Sequence, residues 1–356
     1  MERMIRIRSG QRRTIFPICL RALRMIERYY GTRLAQACDR RISVTVPRIA
    51  RRVMAGEPKK EAAMDYVKPY GVVDSMLAGG ALKLSLPPRQ LVLRGMLAGA
   101  YLGIGTSMAV TVAVETGYWI LGSLLFPFGL ALAILLGAEI ITGSFALLPC
   151  AAVAGQKNAG LRKVFANWGW VFLGNLLGST LYAGLFAIAL TTAGDAQINA
   201  VGTKLIAIAE AKTNYYASHG TAGLLAAFTK GMLCNWMVSL AVVAAFMSTS
   251  FSGKILAIWG PTLLFFSQGF EHAVVNMFLM PVGMLLGANV SVSTWWLWNQ
   301  IPVTLGNLVG GMLFTGLAIY GAHHTSAPAA TQSVPATVPA QPGTARADQS
   351  GYSPSY

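Results

Sequence analysis

The sequence predicts an all-α membrane protein, with six transmembrane helices in an inverted 3+3 repeat whose second and fifth helices are broken. Three observations lead there. Of 356 residues, 54% are hydrophobic and only 12% charged, and the mean hydropathy is +0.53. Soluble domains carry roughly 25% charged residues. Charge-free stretches run over 95–114, 116–138, 140–156, 164–194, 231–253 and 255–270, and about 20 apolar residues suffice to cross a bilayer. Finally, the chain repeats itself inside these stretches. Arg94-Gly95-Met96-Leu97 returns as Lys230-Gly231-Met232-Leu233, 136 positions on. Gly137-Ala138-Glu139 returns as Gly269-Phe270-Glu271, and Leu173-Gly174-Asn175 as Leu305-Gly306-Asn307, both 132 positions on. If each copy holds three spans, an odd number, the second enters the bilayer upside down, and a permeation site forms near the midplane between the copies.

The expected spans are roughly 92–114, 118–154 (broken), 164–192, 220–246, 255–286 (broken) and 297–320. Their many glycines suit close helix packing in lipid. Short-loop charges set the orientation. Lys157, Arg162 and Lys163 follow the second span and Lys254 precedes the fifth. Both termini are therefore expected in the cytoplasm.

The net charge of +15 is uneven: residues 1–63 carry +11 and the remainder +4. The membrane body is thus nearly neutral, which argues against nucleic acid as a partner. The chain divides into a basic extension (1–63), a six-span domain (64–320) and a tail (321–356). Three readings of the extension stand open: a basic arm on anionic lipid, a targeting peptide, or an untranslated stretch with Met64 as the true start. The tail, rich in Ala, Pro, Ser and Thr, reads as disordered. Cys19, Cys38, Cys150 and Cys234 have neither metal-ligand spacing nor a pairing pattern, and no metal or cofactor is expected.

Glu139, Glu271 and His272 are ionisable groups within apolar segments, where even a lenient scale sets the cost near ~2.5 kcal/mol or more. Both acids sit where each span should break, so capping of the following half-helix is the expected role. His272 has Ile140 as its counterpart, so the repeat does not require it. An imidazole there can donate a hydrogen bond or a proton to an anion; a packing role competes evenly. Thr142, beside Gly143, could offer its hydroxyl to a solute or bond its own backbone. Asn175 and Asn307 form a repeated polar centre, suited to interhelical hydrogen bonds. Arg94 and Lys230 start the first and fourth spans, where they can draw anions or simply snorkel. Lys163 adds positive charge on the cytoplasmic side. No paired nucleophile and no His-Glu-x-x-His accompany Glu271 and His272, so an enzyme is not expected.

Four motifs together resemble the signatures of the formate/nitrite transporter family: Gly137-Ala138-Glu139-Ile140-Ile141-Thr142-Gly143, Lys230-Gly231-Met232-Leu233-Cys234-Asn235-Trp236, Gly269-Phe270-Glu271-His272-Ala273-Val274-Val275-Asn276-Met277 and Ile301-Pro302-Val303-Thr304-Leu305-Gly306-Asn307. The resemblance covers about residues 64–320. It implies an aquaporin-like protomer in a homopentamer in a membrane, with a bacterial inner membrane expected. It implies nitrite, formate or hydrosulfide as substrate, with protons as partner. His272 matches the family's central pore histidine, Thr142 the loop threonine and Asn307 the pore asparagine, with Asn175 its repeat partner. Apolar constrictions map onto Leu130 and Leu132 on one side and Phe265 on the other, with Phe126 at the border. Glu139, Glu271 and Asn276 would support the breaks. One departure is Ala166, where formate-type members carry a lysine, and it leans the resemblance toward nitrite-type members.

Overall fold

The computed structural model describes residues 65–324. The readings of the basic extension, of Cys19 and Cys38, and of the tail beyond His324 lie outside the described residues. The described chain is helical except for one isolated bridge, Tyr66 to Ser248. Its helices are α1 (Pro69–Ser85), α2 (Pro88–Thr116), α3 (Trp119–Leu135), α4 (Ile141–Val153), α5 (Leu161–Leu190), α6 (Ala200–Ala211), α7 (Asn214–Ser218), α8 (Gly220–Met247), α9 (Phe251–Ser267), α10 (Ala273–Leu285) and α11 (Val292–His323). By length and composition, α2, α5, α8 and α11 can each cross a membrane. The shorter pairs α3–α4 and α9–α10 occupy the two stretches expected to be broken.

Local chemistry sets the ends. Pro69 and Pro88 open α1 and α2 at first-turn positions, where the missing N–H costs nothing. Gly117 closes α2 at φ 75°, a left-handed conformation that glycine adopts without strain. The starts of α8, α9 and α10 follow those of α2, α3 and α4 by 132 positions each.

The two breaks are built alike. Gly137 and Gly269 adopt φ 67° and 65°. The next amides turn back five residues, Ala138 N–H to the Ala133 carbonyl (2.8 Å) and Phe270 N–H to the Phe265 carbonyl (3.2 Å). This is a Schellman ending. Three extended residues then lead into α4 or α10. Those half-helices are apolar and buried on every side from Ile141 to Ala151 and from Ala273 to Gly283, as expected of a helix with no polar face.

Extended backbone at such depth needs partners, and one asparagine per copy supplies them. Asn175 Nδ2 donates to the carbonyls of Gly95 (2.9 Å) and Glu139 (2.8 Å), and its Oδ1 accepts from Ile141 N–H (3.0 Å). Asn307 repeats this with Gly231 (2.7 Å), Glu271 (2.9 Å) and Ala273 N–H (2.9 Å). The crossings beside them are tight. A Cβ on Gly178 would lie 1.9 Å from the Met96 carbonyl oxygen, and one on Gly310 would lie 2.1 Å from that of Met232.

The glutamates do not cap the half-helices. The N-caps are Ile140 and His272, and each carboxylate reaches sideways to a lysine instead. Lys83 Nζ lies 2.5 Å from Glu139 and Lys212 Nζ lies 2.8 Å from Glu271. Each lysine's carbonyl is held in turn, by Asn167 Nδ2 (3.0 Å) or Asn299 Nδ2 (2.9 Å). Neither carboxylate accepts from a backbone amide of α4 or α10 among the described residues.

Asp65 ties the first described residues to the start of α9. Its carboxylate accepts from the Ser250 hydroxyl, from Thr249 N–H (3.1 Å) and from Ser250 N–H (2.6 Å). The Ser250 hydroxyl, with the other donors, holds this carboxyl down at about 2. The lowered value stabilises the fold above the ordinary 3.8 and is lost as pH falls through about 2.

Two outcomes follow. Asn175→Ala strands the Glu139 carbonyl and the Ile141 amide, and should cost about 2 kcal/mol or more, read as a lower thermal midpoint in detergent. Asp65→Asn should melt below wild type at neutral pH, and the two midpoints should converge as pH falls toward 2.

Candidate functional site

The two breaks bring the first turns of α4 and α10 together. His272, at the N-cap of α10, has extended backbone (φ −108°, ψ 118°), and its Nδ1 accepts from Val275 N–H at 3.2 Å. A ring nitrogen that accepts carries no proton, so in the neutral ring the hydrogen sits on Nε2. Nε2 lies 3.1 Å from Thr142 Oγ1. The imidazole therefore donates and the threonine oxygen accepts. Thr142 is left with its own hydroxyl hydrogen to give, and no protein acceptor takes it among the described residues.

Thr142 is held from behind, with its carbonyl accepting from Asn235 Nδ2 at 3.1 Å. Both half-helices turn their N-terminal, positive ends toward this pair, which favours an anion there. His272 and Thr142 are buried, at 2% and 0% exposure.

Aromatic rings close one approach. Phe265 lies 5.7 Å from the His272 ring, Phe126 meets Phe265 edge-on at 5.5 Å, and Phe266 stacks on Phe126 at 3.9 Å. A small cavity of about 30 Å³ beyond them touches Lys212, Trp119, Phe265 and Phe266. On the other approach, Ile140 and Gly143 border a cavity of about 330 Å³ together with Lys83, Arg94, Glu139 and Lys254. Three cations against one carboxylate make that chamber attractive to anions. Neither cavity reaches the His272–Thr142 pair, which stands closed between them.

The structure brings together His272, Thr142, Phe126 and Phe265, with Leu130 buried nearby in the same core. It does not add Leu132, which is 39% exposed; residues two apart on a helix face different sides. Asn175 and Asn307 have no N–H left for a solute, since backbone carbonyls take both Nδ2 hydrogens of each. They bond the backbone at the breaks and border neither cavity. Asn276 lies beside its break and donates to Glu271 Oε2 (2.9 Å) and Asn299 Oδ1 (2.8 Å). Of the expected vestibule charges, Arg94 borders the larger cavity. Lys163 is exposed and away from it, and the Lys230 ammonium lies over the Tyr216 ring at 5.5 Å.

Sequence reasoning missed Lys83, Lys212 and Ile140. The lysines carried one faint signal: they precede the repeated glutamates by 56 and 59 positions. Ile140 was marked as the counterpart of His272, and that place in the repeat was the clue to its position at the site.

The family model described as formate/nitrite transporter matches residues 70–321. The chain is similar to a probable formate transporter of Methanothermobacter thermautotrophicus, 35% identical over 269 residues, 70% of this chain and 94% of that one. Among solved structures it is similar to an FNT family ion channel, with TM-score 0.62 and 29% identity over 70% of this chain and 98% of the other. A pentameric formate channel with formate bound gives TM-score 0.54 and 27% identity over 66% and 97%. Members of this family are channels or transporters and not enzymes. The motifs, the duplicated breaks and these likenesses agree: the chain belongs to the formate/nitrite transporter family.

Proposed function

We propose that the protein conducts small monovalent weak-acid anions, formate or nitrite, across a bacterial inner membrane, and that His272 shares a proton with the anion in transit. The four long helices and the two broken pairs act as six spans, the second copy inverted relative to the first, with both termini in the cytoplasm. The loops bearing Lys157, Arg162, Lys163 and Lys254 support that orientation. The likeness to a pentameric formate channel supports a homopentamer with one pore per protomer.

One observation carries the mechanism: His272 Nε2 lies 3.1 Å from Thr142 Oγ1 while Nδ1 is engaged by Val275 N–H. The imidazole proton thus has one direction in which to go. An anion enters the cationic chamber, sheds water at Ile140 and meets the Thr142 hydroxyl. A full charge buried there costs several kcal/mol. His272 takes a second proton from the acidic side, giving up its Nδ1 bond to Val275 N–H, and the imidazolium then passes its Nε2 proton through the Thr142 hydroxyl, leaving a neutral imidazole and a neutral acid to pass the Phe265 ring. Low external pH then favours import with a proton, and a high internal anion concentration favours export.

A second reading has its own observation. Because Nδ1 caps α10, His272 could be structural in a channel for neutral solutes. Asparagine separates the two, since it caps a helix well but cannot release a proton near neutral pH. Uptake of labelled nitrite and formate into proteoliposomes should rise as external pH falls. His272→Asn and His272→Phe should lose that rise, by about 10²-fold at low pH, the scale of one proton donor. Undiminished acid stimulation in His272→Asn would establish the structural reading.

A further inference from the structure

Each copy pairs its glutamate with a lysine whose carbonyl an asparagine holds, and the copies differ in what else the glutamate accepts. In the second copy, Glu271 takes donors from Lys212, Tyr216 (2.8 Å), Asn276 (2.9 Å) and Asn299 (3.3 Å). The Asn276 carboxamide is the keystone, because its Nδ2 also donates to Asn299 Oδ1 at 2.8 Å. In the first copy, Glu139 and Asn167 stand 132 positions before Glu271 and Asn299, and Lys83, 129 positions before Lys212, makes the matching ion pair. The hydroxyl of Tyr216 has no equivalent, and Glu139 borders the open chamber there. The place of Asn276 falls to Ser144.

Serine is shorter than asparagine by about the room of one water molecule. Among the described residues four fully buried side-chain polar atoms lack a protein partner: Ser144 Oγ, Asn167 Oδ1 and Trp168 Nε1 in the first copy, and Asn276 Oδ1 in the second. Buried polar groups are rarely left so. Other hydroxyls in these helices bond the carbonyl four residues back, as Thr106 does to Leu102 (2.7 Å) and Thr262 to Ile258 (2.6 Å). Ser144 does not.

We infer that the first copy holds one buried water between Ser144, Asn167 and Glu139, where the second copy places the Asn276 carboxamide. The bonding closes. The water accepts from the Ser144 hydroxyl and donates one hydrogen to Asn167 Oδ1 and the other to the Glu139 carboxylate. Three hydrogen bonds are the usual complement of a buried water. Asn276 Nδ2 bonds the same two acceptors in the second copy, so the geometry is already realised once within this chain. The Lys83–Glu139 pair at the larger chamber is then tied to Ser144 and Asn167 through an exchangeable molecule, while Glu271 takes its donors from side chains directly. Neither the identity of the permeant anion nor proton transfer at His272 enters this inference.

The test is a map of the full-length wild-type protein in nanodiscs at a resolution that shows ordered water, together with Ser144→Asn. The expected result is a single peak within hydrogen-bonding reach of Ser144 Oγ and Asn167 Oδ1. In Ser144→Asn that peak should vanish, and the thermal midpoint should rise by a few degrees as the carboxamide takes both acceptors. A wild-type map with no peak and the Ser144 hydroxyl turned onto the Ile140 carbonyl overturns the inference. A Ser144→Asn protein that melts below wild type also overturns it, because the site would lack room for the larger group.

Discussion

Two asparagine carboxamides make everything else possible. A helix that stops inside an apolar bundle exposes amides and carbonyls that no water can reach, at several kcal/mol for each group left alone. Asn175 and Asn307 each take one such carbonyl and one such amide, and anchor them to a carbonyl of the neighbouring long helix, Gly95 or Gly231. With those groups satisfied, the chain can leave helical geometry at Gly137 and Gly269, run extended for three residues and begin again. The interruption is what turns two half-helix ends toward one another and lets Thr142 meet His272.

The repeat supplies the frame, and its violations mark the chemistry. Where the copies agree, the residues hold backbone: the two asparagines, the two left-handed glycines and the two lysine–glutamate pairs. Where they differ, the site acquires direction. His272 faces an aromatic cluster while its counterpart Ile140 borders a cationic chamber. Asn276 is replaced by Ser144, and the Tyr216 hydroxyl by an opening. The two approaches to the central pair are thereby unlike, one narrow and aromatic, the other wide and charged.

Much of this was legible before any coordinates. The recurrence of Gly-x-Glu and Leu-Gly-Asn gave the duplicated breaks, and buried carboxamides in apolar helices already suggested that they hold neighbours. His272 stood out because its counterpart is an isoleucine. Side-chain direction was the part that periodicity could not supply. Glu139 and Glu271 were expected at helix starts, yet their carboxylates turn sideways to Lys83 and Lys212, partners 56 and 59 positions away. A lysine near a helix end looks like any snorkelling residue, so nothing local separated these two from Lys163 or Lys230. Leu130 and Leu132 look equivalent by composition, but only Leu130 faces inward. Thr142 stood out beside Gly143, but its partner across the two half-helices, His272 Nε2, could not be read from the chain.

The central claim is that a neutral acid, not a bare anion, passes the Phe265 ring. The most direct measurement is simultaneous proton and anion flux in proteoliposomes, with an internal pH dye and labelled formate or nitrite under an imposed membrane potential. One proton should accompany each anion, with no net current and no response to the potential. Anion flux that carries current and leaves internal pH unchanged would contradict the account.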